Sequence, residues 1–107
     1  MLYVIARKDK EGMADERARL LSKHVEYQKA FMSFIVFGGG LVKEGINESN
    51  FVYNEKGIRD VIGNLLVVDV PDRAAAEAIH FEDPYTKGGI FNEVIIEPFL
   101  KRVPIEN

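Results

Sequence analysis

The chain has no cysteine. Disulfides, thiolate nucleophiles, iron–sulfur clusters and cysteine-type zinc sites are therefore excluded. Histidine is scarce, with two residues, too few for a histidine-rich metal centre. The expectation is chemistry without a metal or cofactor. Charge of one sign is also lacking. Fourteen basic and 17 acidic residues leave a net of −3, no field to recruit nucleic acid or an anionic membrane. Apolar runs end after a handful of residues, where a bilayer span needs about 20. Met1–Ile5 enters directly into a strand-like run, with no basic region ahead of a longer apolar one, so a signal peptide is not expected. Nucleotide-binding loops of the G-x-G-x-x-G and G-x-x-x-x-G-K-[ST] types are missing, as is the G-x-S-x-G elbow of hydrolases. These absences point to a cytoplasmic protein with neither nucleic-acid nor membrane partners.

What is present suits one domain spanning residues 1–107, with 47% apolar residues, enough for a modest core. Leu2–Ala6 reads as a central strand, bounded by the charged run Arg7-Lys8-Asp9-Lys10. From about Met13 to Ser33 the period becomes helical. Leu20, Leu21, Val25, Phe31 and Met32 gather on one side, and Asp15, Arg19, Ser22, Glu26 and Lys29 on the other. Phe34–Phe37 reads as a strand running into Gly38-Gly39-Gly40. Residues 41–60 form a long, turn-rich loop, with Phe51–Tyr53 a candidate short strand. Gly63–Val70 is a buried strand, Asp72 caps a second helix over Arg73–Glu82, and Phe91–Val103 is a final strand region interrupted near Pro98. The order β-α-β-β-α-β predicts an α+β, ferredoxin-like sandwich with both helices on one sheet face. Strands this apolar need a cover on the other face, so the expected partner is a second copy, packed sheet to sheet in a homodimer or a higher oligomer.

Two positions draw attention for chemistry. His24 falls inside the apolar stripe of the first helix, between Leu20 and Phe31, and Arg17 and Gln28 share its side. Three polar groups on a buried face are costly unless they are paired or face a pocket. Asp83 sits where the second helix stops and Pro84 imposes an extended exit. A carboxylate near the negative end of a helix dipole calls for a cation, which an imidazolium or Arg17 could supply. A His–Asp pair has a clear use: the carboxylate orients the imidazole, and the imidazole moves a proton near neutral pH. His80 lies opposite the Ala74/Ala78/Ile79 face of its helix and is expected in solvent. The triple glycine could cradle an anion, though it matches no phosphate-loop pattern.

These residues resemble the YCII-related family. The resemblance rests on the Met-Leu-Tyr-Val-Ile strand, on His24-Val25-Glu26-Tyr27 leading to Phe37-Gly38-Gly39-Gly40, on Asp72–Ala78, and on Asp83-Pro84-Tyr85 followed by Gly89-Ile90-Phe91 and Val94–Phe99. It spans about residues 2–100. Two features depart from the family's pattern: Leu41 follows Gly40 where many relatives carry proline, and the 41–60 loop is long. The resemblance implies a dimeric α+β barrel with His24 and Asp83 as a catalytic pair lining a pocket. Members of the family resemble a dehydrochlorinase of chlorinated hydroxyhydroquinones, and the wider fold resembles muconolactone isomerase and small monooxygenases. The resulting expectation is a cofactor-free lyase or isomerase acting on a small molecule. In it Arg17 holds an anionic or phenolate oxygen, Tyr27, Phe37 and Tyr85 form an apolar wall, and Gly39 and Gly40 border the ligand. A non-catalytic ligand-binding or accessory module and a cofactor-free monooxygenase are the alternatives.

Overall fold

The computed structural model describes residues 1–105. The chain forms β1 (Leu2–Asp9), α1 (Ala14–Lys29), β2 (Ile35–Val42), β3 (Val61–Asp69), α2 (Arg73–Phe81), the one-turn α3 (Pro84–Lys87) and β4 (Phe91–Pro98). The four strands make one antiparallel sheet in the order β2-β3-β1-β4. With its helices on one face, this is the ferredoxin-like α+β arrangement that the order of elements implies. None of the described helices is long and apolar enough to cross a membrane.

Side-chain alternation assigns the two sheet faces. Ile5 stands opposite Leu66 on one side and Ile96 on the other, and Tyr3 stands opposite Val68. These residues meet Phe31, Ala76 and Ile79 in the central core beneath the helices. Each large aliphatic side chain buried there contributes about 1.5–3 kcal/mol. The intervening positions face away from the helices. Phe37 and Ile95 on that side remain 55% and 56% exposed in the single chain.

Several boundaries differ from the sequence expectation, for local reasons. α1 stops at Lys29, and the segment that was expected to extend it tightens into a 3₁₀ turn at Met32–Phe34. β2 does not end at the glycines but runs through them to Val42, because β3 lies alongside and pairs with their backbone. Phe51–Tyr53 is not a strand. The loop instead closes on a 3₁₀ turn at Gly57–Asp60, where a Cβ on Gly57 would lie 1.7 Å from the Val52 carbonyl oxygen. β4 ends at Pro98, which has no N–H to extend a ladder. Asp72 caps α2 as expected, accepting the Ala75 N–H at 2.9 Å.

α1 packs against two neighbours on either side of its buried face. Ala18 and Leu21 pack on Ile58 and Val61, at the end of the long loop. Leu20 packs on Tyr85 and Ile90, beside α3. Between these two contacts the helix presents His24.

Candidate active site

Arg17, His24 and Gln28 recur every turn or two along α1, and with Met32 of the following 3₁₀ turn they line a cavity of ≈ 570 Å³. Its floor is the helix-side surface of β2 and β3, with Gly38, Gly39, Gly40, Asn64 and Leu66. The 41–60 loop supplies an outer wall through Ile46, Glu48, Phe51 and Tyr53. The glycines give the floor its depth. A Cβ on Gly38 would lie 2.5 Å from Leu66 Cδ2 and 3.0 Å from the Leu65 carbonyl oxygen.

His24 and Asp83, 59 residues apart in sequence, meet at 2.9 Å through Nδ1 and Oδ1. Both are buried, at 5% and 1% exposure. Asp83 is extended before Pro84 and caps α3, so the same Oδ1 accepts the Tyr85 N–H at 2.9 Å. Pro84 suits the first position of that helix, where an N–H would have no intrahelical partner. The carboxylate takes Nδ1 and leaves Nε2, the other ring nitrogen of this residue in the cavity wall, outside the pair. The imidazole also stacks on the Tyr85 ring, with centroids 4.1 Å apart and planes 8° off parallel. Two contacts therefore hold the ring, one at its edge and one on its face.

The cation that compensates Asp83 is Arg7, not Arg17. Arg7 is 1% exposed on the helix-facing side of β1, with Nη2 at 3.1 Å from Asp83 Oδ2, although off the line of a good hydrogen bond. Burial alone would raise the Asp83 carboxyl. The bond with His24, the charges of His24 and Arg7, and the Tyr85 N–H outweigh it and hold the group below its ordinary value. Arg7 also donates from Nε to Asn64 Oδ1 at 2.9 Å and lies 3.3 Å from His80 Nδ1 through Nη1.

His80 is thus not in solvent; it is 4% exposed. It shares the inward side of α2 with Ala76, one turn earlier and fully buried. The helix thus turns in Ala76, Ile79 and His80 and leaves Ala74, Ala78 and Phe81 of the expected apolar face exposed. α3 and β4 complete the enclosure, placing Thr86 and the Phe91 ring against the imidazole. A guanidinium can only donate, so Nδ1 of His80 accepts and carries no proton. Burial, and then the charge of Arg7, push His80 below its ordinary value, with Asp83 opposing.

Arg17 lines the cavity but is not free. Its Nε and Nη2 form a two-pronged ion pair with Asp9, at 2.6 and 2.9 Å, and its guanidinium lies 4.8 Å from the Tyr85 ring centroid. Asp9 leaves Nη1 outside this ion pair, and the Arg17 side chain also interacts with the Tyr85 phenol. The Tyr85 hydroxyl donates to the Arg17 carbonyl at 3.3 Å. Burial, only partly offset by Arg17, pushes this phenol up to about 12, so it stays neutral.

Of the expected wall residues, Tyr85 borders the cavity, whereas Tyr27 and Phe37 lie outside it. Tyr27 is three positions beyond His24, which turns it toward α2. Its hydroxyl donates to the Ile79 carbonyl at 3.0 Å, and its ring packs edge-on against Phe31. A register shift between Ile35 and Phe37 puts Phe37 on the sheet face away from the helices. The sequence reading missed Arg7, Asn64 and His80. A period-2 signal was there for the first: Arg7 continues the Tyr3, Ile5 alternation into the interior. Among the described residues no cluster of three or more His, Asp or Glu could hold a metal ion.

Comparison with known proteins agrees with this architecture. No protein of curated function matches the chain in sequence. Among solved structures, the chain is similar to 5-chloro-2-hydroxyhydroquinone dehydrochlorinase from Burkholderia phenoliruptrix AC1100, solved in complex with 2,5-dihydroxybenzoquinone. The two share 26% identity with a TM-score of 0.80, over 94% of each chain. The family model of the YCII-related domain matches residues 1–100, and the chain therefore belongs to the YCII-related family.

Proposed function

We propose that this protein is a cofactor-free enzyme that eliminates or rearranges groups on a small oxygenated ring, with His24 as the proton-transfer residue. The observation that carries the reading is the 2.9 Å contact of His24 Nδ1 with the buried Asp83 carboxylate, at the wall of a cavity large enough for such a ring. Asp83 accepts from Nδ1–H, so the neutral imidazole presents the lone pair of Nε2 to a substrate hydroxyl and acts as general base. The imidazolium formed by that step is stabilised by the same carboxylate. Arg17, through Nη1, holds the oxygen on which negative charge develops. Tyr85 supplies an aromatic surface, and the glycine floor admits a flat ring. The similarity to a dehydrochlorinase solved with a dihydroxyquinone supports a chlorinated hydroxyquinol as the first substrate to try. In that reaction the hydroxyl beside the chlorine becomes a carbonyl as its proton is given up and the chlorine-bearing carbon takes one up. A second hydroxyl, para to that carbonyl, then loses its proton to solvent by way of His24 as chloride departs with the bonding pair. The net loss of one proton and one chloride leaves a hydroxyquinone.

Chloride release from 5-chloro-2-hydroxyhydroquinone tests the reading. The wild type should turn over and His24→Ala should lose about 10²–10⁴-fold in rate, with an unchanged circular dichroism spectrum. Equal rates in the two proteins would remove His24 from the mechanism, and binding without turnover would make the chain a ligand-binding module. The assembly we propose is a homodimer packed through the open sheet face, supported by the exposure of Phe37, Leu41 and Ile95 there. Light scattering should return twice the chain mass, and Phe37→Asp should return one.

A further inference from the structure

Asn64 has no place in the mechanism so far, yet its setting is unusual. It is the one amide in an otherwise apolar strand run, it is 9% exposed, and it lines the cavity floor. Its Oδ1 accepts from Arg7 Nε at 2.9 Å. Arg7 can only donate, so chemistry alone determines which way round the amide sits: oxygen toward Arg7, Nδ2 turned away from it. Nδ2 has no bonding partner among the described residues. Its cross-strand neighbour on β2 is Gly40, which has no side chain to cover it. An amide N–H₂ without a partner beside a cavity is costly to keep dry, and it is ready to donate to whatever enters.

We infer that Asn64 is a substrate-anchoring residue that donates through Nδ2 to a ligand oxygen, so that the site selects rings with two unlike oxygens. This rests on the proposed reading of the cavity as a quinol or quinone site. Arg17 Nη1 and Asn64 Nδ2 are donors and call for a carbonyl or oxyanion. His24 Nε2 in the neutral tautomer is an acceptor and calls for a hydroxyl. A hydroxyquinone or a hydroxyquinol anion carries both kinds of oxygen on one flat ring, whereas a plain hydrocarbon or halobenzene carries neither. Arg7 then has two duties: it compensates Asp83 on one side and sets the orientation of the Asn64 amide on the other.

The test separates anchoring from mere support of Arg7. Asn64→Asp keeps the size of the side chain and an acceptor for Arg7 but loses the donor. Asn64→Ala loses both and introduces no charge. The probe is 2,5-dihydroxybenzoquinone, titrated against wild type and both variants by its visible absorbance, with thermal melts to establish folding. Anchoring requires both variants to bind at least about tenfold more weakly than wild type. Loss in Asn64→Ala alone would mean that Asn64 only supports Arg7, and loss in Asn64→Asp alone would mean simple repulsion of an anion. Either result overturns the inference, as does binding within twofold in both variants. If the wild type does not bind the quinone, the quinol reading of the cavity falls, and the anchor falls with it.

Discussion

The two histidines of this chain are both buried and both bonded through Nδ1, yet they sit in opposite chemical situations. His24 Nδ1 faces a carboxylate, and its ring belongs to the wall of a cavity. His80 Nδ1 faces a guanidinium and is closed in by Thr86 and Phe91. A carboxylate partner requires a proton on Nδ1 and leaves Nε2 basic. A guanidinium partner requires Nδ1 to be bare and opposes a positive charge on the ring. In the proposed function His24 is the residue that exchanges protons with a ligand, whereas His80 is held neutral as a structural acceptor. Asp83 and Arg7 lie between them, so the two regions share one buried ion pair.

That contrast can be broken most severely at Asp83. Asp83→Asn presents an amide to His24 and favours the wrong tautomer, so turnover of a chlorinated hydroxyquinol should fall about 10²–10⁴-fold. A rate within threefold of wild type would show that Asp83 does not orient the imidazole. Next in size is Arg7→Met. It leaves the Asp83 carboxylate buried without its cation, and chemical denaturation should show about 3–5 kcal/mol of lost stability. A loss under about 1 kcal/mol would mean that His24 and the Tyr85 N–H satisfy Asp83 without help.

The smallest effect concerns His80 and depends on pH. Its folded value is lowered beneath 6.5, so below pH 6.5 the unfolded chain binds more protons than the folded one. Stability therefore falls as pH drops from 6.5 toward the folded value, and His80 has no such effect above 6.5. His80→Gln keeps an acceptor for Arg7, should cost under about 1.5 kcal/mol at pH 7.5, and should flatten the decline of melting temperature between pH 6.5 and 5. An equally steep decline in the variant would assign that pH dependence to other groups. Asp83 acts in a lower window. Its depressed value adds stability above the ordinary carboxylate range, and this is lost as pH falls through 3.8 and below.

Much of this arrangement is legible in the sequence, because it depends on short-range periodicity. The shared side of Arg17, His24 and Gln28 follows from helical spacing, and the order of strands and helices follows from apolar runs and their stops. The resemblance of Asp83-Pro84-Tyr85 to a family pattern singled out the carboxylate. Three residues lie elsewhere than the sequence suggests, because packing against distant segments decides their surroundings. Ala74, Ala78 and Phe81 look like the apolar face of α2, which would point His80 outward, but the helix packs on the sheet through Ala76 and Ile79 and so turns His80 inward. Tyr27 shares the wider face of α1 but is claimed by the carbonyls of α2. Phe37 was displaced from the pocket by a register shift that no local propensity encodes.

By itself, then, the sequence determined the main strands and helices, the shared side of Arg17, His24 and Gln28 and the absence of thiol chemistry, since composition and near-neighbour spacing settle those, whereas packing chose which face of α2 turns inward. Tertiary structure decided which charges meet. Asp83 could have been compensated by Arg17, as its place beside His24 suggested. Instead Asp9 took two arms of Arg17, and Arg7 reached Asp83 from the middle of the sheet. An ion pair in a dry interior is chosen by which groups the packed elements bring within a few ångströms, because desolvation leaves no other way to balance the charge.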